Sequence, residues 1–398
     1  MTDLSENAAL PMDGVIRVNP NDPARSEAYL PSSCVQNHAA NLMVLPGGDL
    51  ACVWFAGTQE GIPDISVYFS RLKAGANRWT EAVKLSDDPS RSEQNPVLFP
   101  APDGRLWLLY TAQISGKQDT ALVRYRISSN NGQTWGPVAT LFDEPGIFIR
   151  QPIVVLDNGD WLLPVFHCRT LPGEKWVGDD DISAVRISSD QGRSWTEHVV
   201  PNSVGCVHMN IEKLGDGTLV AVFRSRWADN VHVSRSTDGG RTWESPERLS
   251  LPNNNSSIQM TSLANGHLAL VLNPIDATKA PERRASLYDE IEDEDDKRPA
   301  PSAPPVHRQR TAFWGTPRAP LSLAISLDGA RSWPVLRDVE TGDGYCMTNN
   351  SQEKANRELS YPSVKQTPDG RIHIAFTYHR QAIKYVCVDE SWVSAPLS

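Results

Sequence analysis

The chain lacks most of the features that would place it outside the ordinary globular class. Its 398 residues include six cysteines, Cys34, Cys52, Cys168, Cys206, Cys346 and Cys387, with no Cys-x-x-Cys pair among them. Thiols scattered in this way indicate neither a zinc site nor a disulfide framework and read as buried free cysteines. Basic charge is also short: 38 Lys and Arg stand against 48 Asp and Glu, a formal net charge of −10. An acidic chain has no electrostatic draw toward nucleic acid or an anionic membrane, so neither is an expected partner. No run of about 18 apolar residues occurs. The opening MTDLSENAALPMDG has no basic segment leading into an apolar one, so no secretory signal is read and the expected location is cytoplasmic. No set of His, Cys, Asp and Glu stands at metal-ligand spacing, so no metal and no other cofactor is expected.

Turn residues, by contrast, are plentiful: 30 prolines and 26 glycines are spread among short apolar segments. A turn followed by an apolar strand recurs six times, as PGGDLACVWF from Pro46, PDGRLWLLYT from Pro102, DNGDWLLPVF from Asp157, GDGTLVAVFR from Gly215, ANGHLALVLN from Ala264 and PDGRIHIAFT from Pro368. Their glycines, Gly48, Gly104, Gly159, Gly217, Gly266 and Gly370, fall 56, 55, 58, 49 and 104 residues apart, so five steps separate six units and one step is doubled. Each such glycine supplies the positive φ of a tight hairpin turn, and the run after it reads as a central strand. A second pattern, Ser-x-Asp-x-Gly-x-Thr-Trp, interleaves with the first in four copies: Ser128 to Trp135, Ser188 to Trp195, Ser236 to Trp243 and Ser326 to Trp333. The middle two copies are near perfect, the first has Asn130 for the Asp, and the last has Ala330 for the Gly. A ragged fifth lies around Ser70 to Trp79.

Four such octapeptides in register with six turn-and-strand units resemble the Asp-box repeats of the sialidase (neuraminidase) superfamily, over roughly residues 36 to 388. The resemblance implies an all-β chain folded as a six-bladed β-propeller over residues 36–398, with residues 1–35 as an N-terminal segment closing onto it. The doubled step is then an insertion at about 276–317, holding the acidic run DEIEDEDDK (Asp289 to Lys297) and the proline-rich RPAPSAPPV. Such a composition cannot offset its ordering entropy, so the insertion is expected to be a mobile loop, a solvated linker within a blade connection rather than a lid.

Sialidases cleave an anomeric bond with an Asp acid, a Tyr nucleophile activated by a Glu, and three arginines that clamp the substrate carboxylate. Carried over position by position, the resemblance puts His38 where the first clamp arginine would stand, and Asp64, with Glu60 close by, at the general acid. Arg224 matches the second clamp arginine and Arg318 the third, while His208 occupies the place of the activating Glu. In RELSYPSVKQTPDG, Tyr361 takes the nucleophile position, with Glu358, His379 and Arg380 nearby. A neutral imidazole at His208 is able to take a proton from a tyrosine near neutral pH. Asn37, Asn95, Arg150, Gln151 and the run Asn253 to Ser257 begin or end strands and are further candidates to line the channel mouth. Asn95-Pro96 and Gln151-Pro152 occupy equivalent places one blade apart.

These residues imply a carbohydrate-active enzyme with a glycan or glycoside partner, an exo-glycosidase acting on a carboxylate-bearing sugar as sialidases do. Two other readings stay open: a uronate-glycan lyase using the Tyr and the two His, and a non-catalytic glycan-binding propeller. The sequence does not specify the sugar or the oligomeric state.

Overall fold

The computed structural model describes residues 10–284, 286–288, 291, 310–348 and 351–395. Six antiparallel sheets form a ring, as the repeats predict, and each unit of the sequence supplies one blade. Blade 1 runs Gln36–Val44, Leu50–Gly57, Ser66–Leu72 and Val83–Lys84; blade 2 runs Ser92–Pro100, Leu106–Ile114, Lys117–Ser128 and Ala139–Phe142. In blade 3 the innermost strand is split into Ile147–Phe148 and Val154–Val155, both paired to Trp161–His167, and Ile182–Ser188 and Thr196–Val199 follow. Blade 4 is Cys206–Lys213, Leu219–Ser225, Asn230–Ser236 and Glu247–Pro252; blade 5 is Gln259–Ser262, Leu268–Leu272, Leu321–Ser326 and Val335–Glu340. Blade 6 takes Leu359–Gln366, Ile372–Tyr378 and Ala382–Val388 from the C-terminal part of the chain and then Asp22–Tyr29 and Arg17–Asn19 from the N-terminal part. Pairing Asp22–Tyr29 with Ala382–Val388 closes the ring by hydrogen bonds between the two ends.

The local reason for the repeat is visible at the six turn glycines. Their φ values lie between 84° and 88°, a region open to glycine but costly for a side chain, and each donates its N–H to the carbonyl three residues earlier. The strand that follows each turn is almost wholly buried, because it is covered on both faces by the neighbouring blades. The core is accordingly a set of inter-blade layers: Leu42, Cys52, Trp54, Ala375 and Tyr385 pack between blades 1 and 6, and Phe99, Leu109, Leu163 and Trp161 between blades 2 and 3.

The insertion lies between the second and third strands of blade 5 and departs from the expectation of a free solvated loop. Its described residues pack: Leu287, Tyr288, Ala312 and Trp314 are buried with Phe148, Phe166, Trp176 and Val207 of blades 3 and 4. Burying a large apolar side chain contributes about 1.5–3 kcal/mol, enough for a few aromatic anchors to hold a polar segment against its ordering entropy. Except for Ile291, the acidic run and the proline-rich stretch lie outside the described residues. Among the described residues no helix is long and apolar enough to cross a membrane.

Candidate functional site

The inner strands of blades 1, 2, 4 and 6 share one irregularity. Their pairing with the second strand slips between His38 and Asn41, between Gln94 and Val97, between Val207 and Asn210, and between Ser360 and Ser363. In each slip one side-chain-bearing residue takes a positive φ: Ala39 at 62°, Asn95 at 50°, His208 at 55° and Tyr361 at 49°. Such a bulge re-aims the residues beside it, and a non-glycine residue there costs on the order of 1–3 kcal/mol that the surrounding structure must hold. Side chains of neighbouring blades do hold it. Leu42 N–H, beside the blade 1 bulge, donates to Ser363 Oγ at 2.7 Å, and Val364 N–H, beside that of blade 6, to Gln259 Oε1 at 2.7 Å; the blade 4 strand in turn offers Asn210 Oδ1 to Met260 N–H of blade 5 at 2.5 Å.

Tyr361 stands at the centre. The His38 ring lies 4.3 Å from its ring and the His208 ring 5.8 Å. The guanidinium carbons of Arg150, Arg224 and Arg318 each lie 5.5 Å from the same ring. Residues from six separate stretches, 38 to 361, thus meet in one place that burial has closed almost completely: Tyr361 is 5% exposed, Arg224 1% and His38 0%.

Arg224 donates from Nη1 to the Tyr361 hydroxyl at 2.6 Å and from Nε to Asn255 Oδ1 at 2.8 Å, and its buried Nη2 has no partner among the described residues. Arg150 donates from Nε to Ser257 Oγ at 3.1 Å, and from its two Nη to the carbonyls of Ala39, Ala40, Tyr361 and Pro362, stitching two of the bulges together. Burial pushes both guanidinium groups down to about 10, which leaves them cations at neutral pH. Arg318 donates to Glu358 Oε2 at 2.9 Å. Arg380 faces Glu358 Oε1 at 2.6 Å, an ion pair without hydrogen-bond geometry, and pairs on its other side with Glu60. Burial works against ionisation of Glu358, but Arg380 and Arg318 outweigh it and hold the carboxyl below its ordinary value. Burial first, then the surrounding arginines, push His38 and His208 well below the usual imidazole value, so both rings are neutral.

Of the residues expected from sequence, His38, His208, Arg150, Arg224, Arg318, Tyr361, Glu358 and Arg380 converge on this cluster. Asn95 is buried on the corresponding bulge of blade 2, its Oδ1 without a partner. Three others do different work. Asp64, the expected acid, is exposed, and its Oδ2 accepts the backbone N–H of Thr58 at 3.0 Å; its loop keeps the carboxylate for a turn, and Glu60 is the acid that reaches inward. Asn37 donates both amide hydrogens to the carbonyls of Cys34 and Gln381 and accepts from Trp54 Nε1, bonds that tie its side chain into the fold. Gln151 bridges blades through Ile258 O and Gln259 Nε2.

The roof of the cluster was not expected from sequence. Trp314 stacks over Arg224 and Arg226, whose charge is met by Asp181, and the Tyr288 hydroxyl accepts from Gln113 Nε2 and Gln118 Nε2. The available signal was the Leu287-Tyr288 and Phe313-Trp314 pairs within an otherwise polar insertion. Among the described residues no group of three or more His, Cys, Asp or Glu is placed to hold a metal ion.

A model of the family described as the BNR repeat-like domain matches residues 48–374. The chain belongs to this BNR repeat-like family. Its fold recurs in solved structures of low sequence identity. A Hadza microbial sialidase, Hz136, is 13% identical, with a TM-score of 0.65 over 90% of this chain and 66% of the sialidase, just under two thirds of its length. The NanB sialidase of Streptococcus pneumoniae is 11% identical, with a TM-score of 0.65 over 94% of this chain and 71% of that one. A protein of unknown function from Dyadobacter fermentans is 15% identical, with a TM-score of 0.63 over 95% and 98% of the two chains. No curated protein matches the sequence. At these identities the likeness of this BNR-repeat protein to sialidases is one of fold.

Proposed function

We propose that the chain is a carbohydrate-active enzyme that cleaves a glycosidic linkage at a carboxylate-bearing sugar, in the cluster around Tyr361. The observation that carries this is the unbalanced charge of Arg224: a buried cation beside the tyrosine hydroxyl, with no carboxylate partner and no acceptor for its Nη2 among the described residues. Such a group costs free energy until an anion meets it, and a carboxylate is the anion whose geometry matches the guanidinium fork. In the hydrolytic route the Tyr361 hydroxyl gives its proton to a neighbouring histidine and its oxygen bonds to the anomeric carbon as the bond to the leaving oxygen breaks; that oxygen takes up a proton, and water then displaces the tyrosine oxygen, which regains its proton, while Arg224 and Arg318 hold the carboxylate. The fold similarity to sialidases supports this route.

Elimination is a second reading, favoured by the position of Asp64. With that acid outside the cluster and Glu60 and Glu358 both engaged by Arg380, the groups free for proton transfer are a tyrosine and two neutral histidines. On a uronate, the proton next to the carboxylate passes to a base and its electron pair forms the carbon–carbon double bond. The bond to the leaving oxygen breaks, and that oxygen takes a proton from the acid. Incubation with a panel of aryl glycosides and uronate oligosaccharides separates the routes. Aryl release without a new chromophore is the hydrolytic result, absorbance of a conjugated carboxylate is the eliminative one, and saturable binding with no product overturns the enzyme reading.

A further inference from the structure

The insertion meets the blades at two places that are held differently. Near its end it is tied by backbone: Ala312 N–H donates to Asp179 Oδ1 at 2.7 Å, Phe313 N–H to Arg226 O at 2.8 Å, and Phe313 O accepts from Asn255 Nδ2 at 2.9 Å. Tyr288 is tied by its side chain. Among the described residues its hydrogen bonds to the blades both run through the hydroxyl, which accepts from Gln118 Nε2 at 3.0 Å and from Gln113 Nε2 at 3.2 Å. The two glutamines flank the hairpin turn of blade 2, and both are buried. The phenol ring lies against Gly61 of the blade 1 loop. A β-carbon there would stand 2.8 Å from Tyr288 Cε1, closer than atoms pack, so the bare backbone of a glycine is what admits the ring. Gly116 N–H, in the same hairpin turn, donates to Gly61 O at 3.0 Å and joins this floor to the glutamine wall.

The seat offers more than a phenol uses. Gln113 Oε1 is buried and has no partner among the described residues. Turning the amide over would orphan its nitrogen instead, because a single hydroxyl meets only one end of it. Two adjacent hydroxyls would satisfy both ends, one accepting from Nε2 and the other donating to Oε1, and a pyranose ring carries such pairs. The wall is made of neutral amides. Burial, and then the charge of Glu60, raise the Tyr288 hydroxyl above its ordinary pKa, so an anion in this place would be opposed in the same way. Glu60 pairs with Arg380, Arg380 faces Glu358, and Arg318 bonds Glu358, so a chain of ion pairs separates the seat from the arginines of the cluster. A carboxylate-bearing unit on Arg224 and Arg318 leaves the seat to its neighbour in the glycan.

We propose that Gln113, Gln118 and Gly61 form a subsite for a neutral pyranose unit joined to the carboxylate-bearing one, and that Tyr288 is its built-in occupant, which the ligand displaces. This rests on the glycan reading of the Tyr361 cluster. It makes opposite demands on partners that touch each other: the Tyr288 hydroxyl competes with the ligand, and the glutamine amides serve it. Were the contact structural alone, losing either side would act alike.

Calorimetric titration with cellobiouronic acid and with sialyllactose, each beside its terminal acid alone (glucuronic acid and N-acetylneuraminic acid), tests this in the Tyr361→Phe background, where turnover does not consume the ligand. Adding Tyr288→Phe should tighten one of the two oligosaccharides about three- to tenfold, because the closed seat gives way more readily. Adding Gln113→Leu or Gln118→Leu should weaken the same oligosaccharide about tenfold and leave its terminal acid unmoved. Unchanged or weaker oligosaccharide binding in Tyr288→Phe overturns the proposal, and that variant decides alone if a leucine variant does not fold. Terminal acids that bind, with oligosaccharides that bind no tighter, overturn the subsite and leave the carboxylate reading standing. Binding of none of the four probes overturns both. The expected pattern together with a panel that yields no product would overturn the enzyme reading and leave the subsite in place.

Discussion

On the rim of the propeller, the chain leaves the strand conformation in a way that each octapeptide closes for itself. Asp238 Oδ1 accepts the N–H groups of Arg241 and Thr242, Oδ2 takes the Thr242 hydroxyl at 2.6 Å, and Ser236 Oγ caps Gly240. Asp190 and Asp328 repeat the pattern nearly atom for atom, and Asn130 keeps the bond to Thr134 N–H with an amide in place of the carboxylate. Even Ala330, which stands where the pattern has glycine, takes the same turn at a φ of 66°. At the channel mouth the departures are as regular in backbone but are closed from elsewhere. The bulge at Tyr361 is held by Arg150 from blade 3, and Ser363 beside it by Gln259 from blade 5. Local closure makes the rim turns interchangeable and chemically quiet. Remote closure leaves the inner residues free to differ, and they do: Ala39, Asn95, His208 and Tyr361 occupy one structural position with four chemistries.

If the contrast is sound, the largest effect belongs to the inner position. Tyr361→Phe keeps the ring among its arginines and removes one oxygen, so turnover should fall about 10²–10⁴-fold while the thermal midpoint moves by no more than a few degrees. Near-normal turnover from a folded variant would take Tyr361 out of the chemistry. Arg224→Leu comes next. It deletes a buried charge that has no carboxylate partner among the described residues, so carboxylate ligands should bind more weakly by roughly 2–5 kcal/mol while stability holds or rises. A sharp drop in the unfolding midpoint would mean that Arg224 is structural like Arg150. At the rim, Asp238→Ala should cost about 1 kcal/mol in denaturant unfolding, since its amides turn to water, and leave turnover unchanged. A loss of activity there would break the separation of the two regions.

The smallest effect is one of pH. Slight burial works against ionisation of Asp238 and Asp328, but the hydroxyl and amide of Thr242 and Ser332 outweigh it and hold both at about 2; at Asp190 the Ser194 hydroxyl and amide do the same. A carboxyl depressed in the folded state binds its proton more readily when unfolded. Its contribution is therefore complete above the unfolded value of 3.8 and is lost as pH falls toward about 2. Unfolding followed between those limits should show a modest loss in the native protein, and a smaller one once Asp190, Asp238 and Asp328 are all replaced by Asn.

The sequence alone determined the ring and the positions of its turns. A positive-φ glycine and an Asp-box take their geometry from atoms a few residues away, so six copies of one and four of the other are readable without knowing what packs against them. It also named most of the central cluster, because Tyr361, Arg224, Arg318 and the two histidines sit at fixed offsets from those turns. The tertiary structure decided what each group is for. Whether an Asp reaches a site or caps a turn depends on the loop that carries it, and Asp64 caps Thr58. Whether an asparagine is tied down depends on its neighbours: Asn37 makes three side-chain hydrogen bonds, whereas Asn95 Oδ1 has none among the described residues. The partner of His208 Nδ1 is a serine 49 residues away that an arginine from a third blade has also bonded. The polar insertion is anchored by Tyr288 and Trp314 because blades 2, 3 and 4 present partners for them. Those outcomes rest on contacts between residues distant in the chain, and no local pattern encodes the partner on the other side.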